Sequence, residues 1–124
     1  LYDVTVRASD GAVFDDQAIA ATITNVNEPP VITSNGGGAT AGVSIAENGT
    51  AVNAVVASDV DAATTITYSI VGGADQALFT INASTGALAF LSAPDFEAPA
   101  DVGANNVYDV TVRASDGALF DDQA

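Results

Sequence analysis

Apolar and polar residues alternate along this chain with a period of two, the spacing of strands that turn one face to a core and the other to water. Tyr2, Val4 and Val6 share a face with Asp3, Thr5 and Arg7 opposite, and Tyr108, Val110 and Val112 repeat the arrangement. Ile19, Ala21 and Ile23 form the next strand after a turn at Ser9, Asp10 and Gly11. The same alternation predicts strands at Val31–Thr33 (an edge), Val43–Ala46, Ala51–Ala57, Thr65–Val71, Ala77–Ile81, Ala87–Leu91 and Val107–Ala114. Turn clusters such as Ser84, Thr85 and Gly86 separate them, and no segment carries a convincing helical rhythm. The expected core is Tyr68, Ile70, Phe79, Ile81, Leu88, Phe90, Tyr108, Val110 and Val112. Pro29 and Pro30 cannot donate to a ladder, so Asn25–Pro30 reads as a stiff connection that interrupts the sheet.

The chain also repeats itself. Tyr2–Ala18 reads YDVTVRASDGAVFDDQA and Tyr108–Ala124 reads YDVTVRASDGALFDDQA, 17 positions at an offset of 106 residues with Val13 against Leu119 as the one difference. That offset suits a β-sandwich and is too long for a solenoid turn. The expected organisation is residues 1–24 as the closing strands of a preceding repeat, 25–30 as a linker and 31–124 as a second repeat. Six short strands, with a seventh expected beyond Ala124, predict an all-β, immunoglobulin-like, seven-stranded Greek-key sandwich. Residues 31–124 are then expected to lack the strand equivalent to Ile19, Ala21 and Ile23, leaving an open sheet edge. Either a longer polypeptide or Ile19–Thr24 of a neighbouring copy would supply it.

Charge narrows the function. Sixteen acidic residues against two arginines and no lysine give a formal charge of −14, which repels nucleic acid and anionic membranes and favours cations. Solubility or adaptation to salt would explain scattered carboxylates equally well. With neither cysteine nor histidine, disulfides, thiol nucleophiles, imidazole bases and thiolate or imidazole zinc sites are all out of reach. No apolar run is long enough to span a membrane. A glycosidase pair at Asp95 and Glu97 has no concave scaffold to support it, so the chain reads as a non-enzyme.

The carboxylates are not scattered. Glu47 follows one predicted strand, Asp59 and Asp61 form a D-x-D loop, Asp95 and Glu97 a D-F-E loop, Asp116 follows another strand, and Asn27 and Glu28 lie in the linker. Calcium takes six to eight oxygens at roughly 2.3–2.6 Å, usually gathered from several loops. Aspartate is also a common turn former, so each short motif alone is ambiguous.

The order of these motifs closely resembles the cadherin repeat. IAENGT carries the family's Glu-Asn, DVDAATTITYSI its D-x-D loop and Tyr-Ser-Ile strand, and LFTINASTGAL its Phe-x-Ile…Thr-Gly strand pair. APDFE matches its acidic loop, YDVTVRASD its penultimate strand and NVNEPP its linker. The short NEPP linker and alanine-rich, lysine-free composition look like repeats of large bacterial surface proteins. The resemblance implies Ca2+ between successive domains. It assigns Asn25, Asn27, Glu28, Asp59, Asp61 and Asp116 to the internal junction, and Glu47, Asp95 and Glu97 to the next one. Asn25 stands where the family usually has Asp, Pro29 where it has Asn, and Ala62-Ala63 where it has Gly and Asn, so one to three ions per junction are expected. The implied function is a calcium-rigidified extracellular stalk, adhesin rod or filament whose partners are neighbouring repeats or copies. Recognition of surface polysaccharide is the alternative, which the few aromatics, read here as core, do not favour.

Overall fold

The computed structural model describes residues 1–124 and is all-β, apart from short 3-10 turns at Ser34–Gly36 and Gln76–Leu78. Strands β1 (Tyr2–Ser9) and β2 (Phe14–Ala21) pair antiparallel as a hairpin whose residues are all exposed. The remaining strands are β3 (Val31–Ile32), β4 (Ala51–Ala54), β5 (Ala57–Ser58), β6 (Thr67–Gly72), β7 (Phe79–Ile81), β8 (Ala87–Phe90), β9 (Thr111–Ser115) and β10 (Phe120–Gln123). One layer has the order β4-β8-β7, with β3-β5 continuing from β4 across Val55 and Val56; the other has the order β10-β9-β6.

Both layers feed one core. Ile32, Val55, Phe79, Leu88 and Phe90 come from the first, Val112 and Ala114 from the second, and all seven are buried. Phe79 stacks on Phe90 with ring centroids 4.4 Å apart, and Tyr108 meets Phe90 edge-on at 5.0 Å. Burying side chains of this size stabilises by roughly 1.5–3 kcal/mol each. Of the expected core, Phe79, Leu88, Phe90 and Val112 are buried, while Tyr68, Ile70, Ile81, Tyr108 and Val110 pack partly buried around them. Ile32, Val55 and Ala114 are core residues that alternation did not single out.

The structure corrects several strand assignments. Val43–Ala46 forms no strand. Ala51–Ala57 divides at Val55 and Val56 into β4, which pairs with β8, and β5, which pairs with β3. The hairpin strand opens at Phe14 rather than Ile19, and β10 is its equivalent in the second copy. The final strand is therefore begun, not missing. Beyond Gln123, Ala124 donates to the Ala39 carbonyl at 2.9 Å and accepts from Ala41 N–H at 2.7 Å.

The two hairpins are alike to the side chain. Arg7 forks onto both carboxylate oxygens of Asp16 at 2.7 Å and lies 3.7 Å over the Phe14 ring; Arg113 does the same to Asp122 (2.7 and 2.8 Å) and Phe120 (3.4 Å). Each fork holds its aspartate below the usual carboxylate range.

Gly86 ends the turn between β7 and β8 with φ +70°, and a Cβ there would stand 2.1 Å from the Val55 carbonyl oxygen. Left-handed backbone alone costs a side chain about 1–2 kcal/mol, before the collision is counted. Gly86→Ala is expected to destabilise the domain by more than about 2 kcal/mol and to lower Tm by roughly 10 °C. Thermal unfolding followed by circular dichroism checks this, and an unchanged Tm would contradict the packing.

Candidate functional site

The linker is held against the following strands by carboxylates. Asp61, in the loop between β5 and β6, accepts from the Asn25 amide through Oδ1 and from Glu28 N–H at 2.9 Å through Oδ2. Asp116, in the β9–β10 turn, accepts from the Asn27 amide at 2.7 Å through Oδ2, while its Oδ1 takes Ala118 and Leu119 N–H, each at 2.6 Å. Asp59 Oδ1 accepts from Asp61 N–H at 2.8 Å, which folds the D-x-D segment back on itself. Asp59 Oδ2 is buried and has no partner. Leaving such an acceptor unmatched is costly, and a carboxylate oxygen more so than a neutral one.

These bonds set the charge state. The Asn25 amide, followed by Glu28 N–H, holds the Asp61 carboxyl below its ordinary range, with Asp116 opposing as a nearby like charge. Leu119 and Ala118 N–H and the Asn27 amide do the same for Asp116. Ala63 takes a left-handed φ of 64° in the same loop. It occupies the Ala62-Ala63 position where the resemblance expects Gly and Asn, residues that tolerate that conformation.

Glu47, Asp95 and Glu97 gather elsewhere. Their carboxylate oxygens lie within 4.8 Å of one another, all exposed. Glu47 accepts from Phe96 N–H at 2.9 Å, Asp95 from Glu97 N–H at 3.0 Å, and Asn48 N–H bonds the Pro94 carbonyl at 3.0 Å. Topology puts this cluster at the end of the sandwich away from the linker. Thr67 pairs with Ser115, so β6 starts beside Asp116, and Tyr68 N–H bonds Ala83 in the β7–β8 turn at that same end. β8 runs from there to Phe90, and Ala51 of β4 pairs with Ala89, which leaves the loops carrying Glu47 and Asp95 at the far end.

Two aspartates that sequence reasoning passed over organise the loops at that far end. Asp75 is buried and accepts from Val102 N–H at 2.7 Å and Asp109 N–H at 2.8 Å. Asp101 is buried and accepts from Asn105 and Asn106 N–H, each at 3.0 Å. Gly103, Asn105 and Asn106 after Asp101, and Gly72-Gly73 before Asp75, were readable turn signals. A further correction concerns the aromatics, because Tyr2, Phe14, Phe96 and Phe120 are exposed rather than core. The Phe14 and Phe120 faces are covered by guanidinium groups.

Comparison with known proteins agrees with this architecture. The chain superimposes on Drosophila N-cadherin EC1-4 with a TM-score of 0.62, at 17% identity over 96% of this chain and 30% of that one. For the protocadherin gammaB7 EC3-6 cis-dimer structure the values are 0.61, 23%, 98% and 30%, and for mouse cadherin-23 EC22-24 they are 0.58, 26%, 98% and 39%. The chain thus spans well under half the length of each. Halomucin of Haloquadratum walsbyi is 50% identical over 36 residues, 29% of this chain and a share of halomucin that rounds to 0%. The family model described as the cadherin domain matches residues 42–123. With that match over most of its length and a two-layer sandwich to accompany it, this chain belongs to the cadherin family.

Proposed function

We propose that the chain is a calcium-rigidified structural repeat of an extracellular adhesin, stalk or filament. The observation that carries this reading is that Asp61 and Asp116 bond the linker residues Asn25, Asn27 and Glu28, with Asp59 joined to Asp61 in the same loop. Asp59 Oδ2 is buried without a partner there, and Asp61 and Asp116 repel each other. The chain has no cation of its own to offer, since both arginines are committed to Asp16 and Asp122. An all-oxygen, carboxylate-rich donor set of this kind suits calcium. Asn25 and Asn27 each present an oxygen as well as an NH2, and a half-turn of the amide exchanges one for the other. Bound calcium would supply the divalent charge that neutralises the facing carboxylates. Asp59, Asp61 and Asp116 would hold it from the domain side, with Asn25, Asn27 and Glu28 from the linker side. Glu47, Asp95 and Glu97 form the corresponding partial donor set for a following junction.

The mechanical consequence follows from the linker's shortness. Pro29 and Pro30 limit backbone freedom, and Pro30 is fully buried at the domain edge, so fixing Asn25–Glu28 fixes the angle at which the chain enters the sandwich.

Calcium is expected to bind, and the pair Asp59→Ala and Asp61→Ala to weaken that binding by at least about tenfold. Isothermal calorimetry checks this; heat of binding that is absent at millimolar calcium, or unchanged in the double variant, would remove the assignment. A chain extended to several repeats is expected to scatter X-rays as a rod in calcium and as a shorter, flexible particle in chelator. Equal profiles would exclude a stiffening role.

Acid should release the linker. The Asp61 and Asp116 carboxyls are lowered in the folded state, so their contribution to stability is present above the unfolded value of about 3.9 and is lost as pH falls through their folded values. In chelator, the side-chain amide resonances of Asn25 and Asn27 are expected to hold their folded shifts at neutral pH and to move below about pH 4. Resonances that stay unmoved down to about pH 2 would show that the carboxylates do not hold the linker.

A further inference from the structure

Two asparagines of this chain precede glycine, Asn35 before Gly36 and Asn48 before Gly49, and the sequence alone does not rank them. In such a pair the glycine nitrogen is an available nucleophile, because no Cβ on the glycine shields it. Its attack forms a bond to the asparagine Cγ, the Cγ–Nδ2 bond breaks, and ammonia leaves behind a cyclic succinimide. Water then opens the ring at either carbonyl, giving aspartate or isoaspartate, whose main chain runs through the former side chain. One water enters, one ammonia departs, and nothing is oxidised or reduced.

The fold treats the two pairs differently. Asn35 donates its side-chain amide to Gln123 Oε1 at 3.4 Å, and a bond from Gly37 N–H to the Ser34 carbonyl at 3.0 Å spans its peptide with Gly36. Asn48 is exposed in a turn at a left-handed φ of 66°, which asparagine tolerates, and its side-chain amide is free. Gly49 N–H has no acceptor, and a Cβ built on Gly49 would meet nothing within 4 Å. Nucleophile and electrophile are thus adjacent and both uncommitted. The Asp-Gly pairs show the opposite state: Asp10 and Asp116 each give Oδ1 to two main-chain N–H groups, and Gly11 and Gly117 N–H donate to the Ser9 and Ser115 hydroxyls.

We propose that Asn48 is a site of spontaneous deamidation, and that its conversion to aspartate and isoaspartate changes the charge and spacing of the loop that carries Glu47. The position magnifies a small chemical change. Asn48 N–H bonds the Pro94 carbonyl at 3.0 Å and the Thr50 carbonyl accepts Phe90 N–H at 2.7 Å, so Gly49 lies between two anchors. Next to them Glu47 takes Phe96 N–H at 2.9 Å and gathers with Asp95 and Glu97. Either product brings one more carboxylate to that neighbourhood, and both arginines are committed elsewhere. Isoaspartate also inserts a methylene into the main chain between the anchors. A loop pinned on both sides takes up that length by shifting, and Glu47 releases Phe96.

Incubating the whole chain for days in mildly alkaline buffer with chelator, followed by peptide mapping and mass spectrometry, tests this without reference to any metal. Asn48 is expected to convert at least about tenfold faster than Asn35, and the two at similar rates in denaturant, where the fold no longer separates them. Gly49→Ala adds a methyl where there is room and where the backbone is not left-handed. It is expected to slow conversion at Asn48 by at least about tenfold without lowering Tm. In the isoaspartate fraction the Phe96 amide resonance is expected to move. Conversion at Asn48 no faster than at Asn35, the same preference in denaturant, or a Gly49→Ala chain converting at the parent rate would each overturn the site. A Phe96 resonance that stays in place after conversion would overturn its effect on the Glu47 loop.

Discussion

The shortage of positive charge governs how this molecule is assembled. Only Arg7 and Arg113 are available to answer sixteen carboxyl groups, and each is spent within its own hairpin on an aspartate and a phenylalanine. Every other carboxylate must find backbone N–H groups, side-chain amides, water or an external cation. The fold supplies the first two with some consistency: Asp10, Asp75, Asp101 and Asp116 each gather two main-chain N–H groups or more. Such bonds cap turns that would otherwise leave donors unmatched. The residual negative charge then collects at the two ends of the sandwich, where consecutive repeats of a cadherin would meet.

That distribution separates the tasks of core and ends. The interior is held by a small aromatic and aliphatic cluster drawn from both layers, with Phe90 touching Phe79 and Tyr108. The ends are held by oxygen. Packing therefore decides whether the sandwich forms, while the polar ends, on the function proposed above, decide how one sandwich is oriented against the next. Exposed ionic contacts add little to stability in themselves, as the proposed ion-adjusted junction would require.

Much of this was legible in the sequence, for identifiable reasons. Alternation located β6, β8 and β9 because each has one face in the core, and the motif order from IAENGT to NVNEPP identified the family. The resemblance to the cadherin repeat, rather than spacing, brought the linker residues together with Asp61 and Asp116, and hydrogen bonds join them. Val43–Ala46 misled because alternation marks a segment fit for a ladder without telling whether a partner edge is present. β10 was passed over because Phe120–Gln123 carries two aspartates, one of them forked by Arg113 and the other, Asp121, accepting Ile32 N–H at 2.8 Å. Gly72-Gly73 marks a turn before Asp75, but the burial of that carboxylate could not be read, since its partners Val102 and Asp109 are distant in sequence.

The near-identity of the hairpins has a consequence for length. Genetic recombination between the segments coding for Tyr2–Ala18 and Tyr108–Ala124, aligned at their shared register, would insert or remove 106 residues at a stroke. The seam falls inside a unit whose guanidinium fork, ring contact and turn bonds are the same on either side of it. An array built this way is extensible in whole steps, each new member meeting its neighbours through contacts that already exist, so reach becomes a variable that can change while the architecture stays constant.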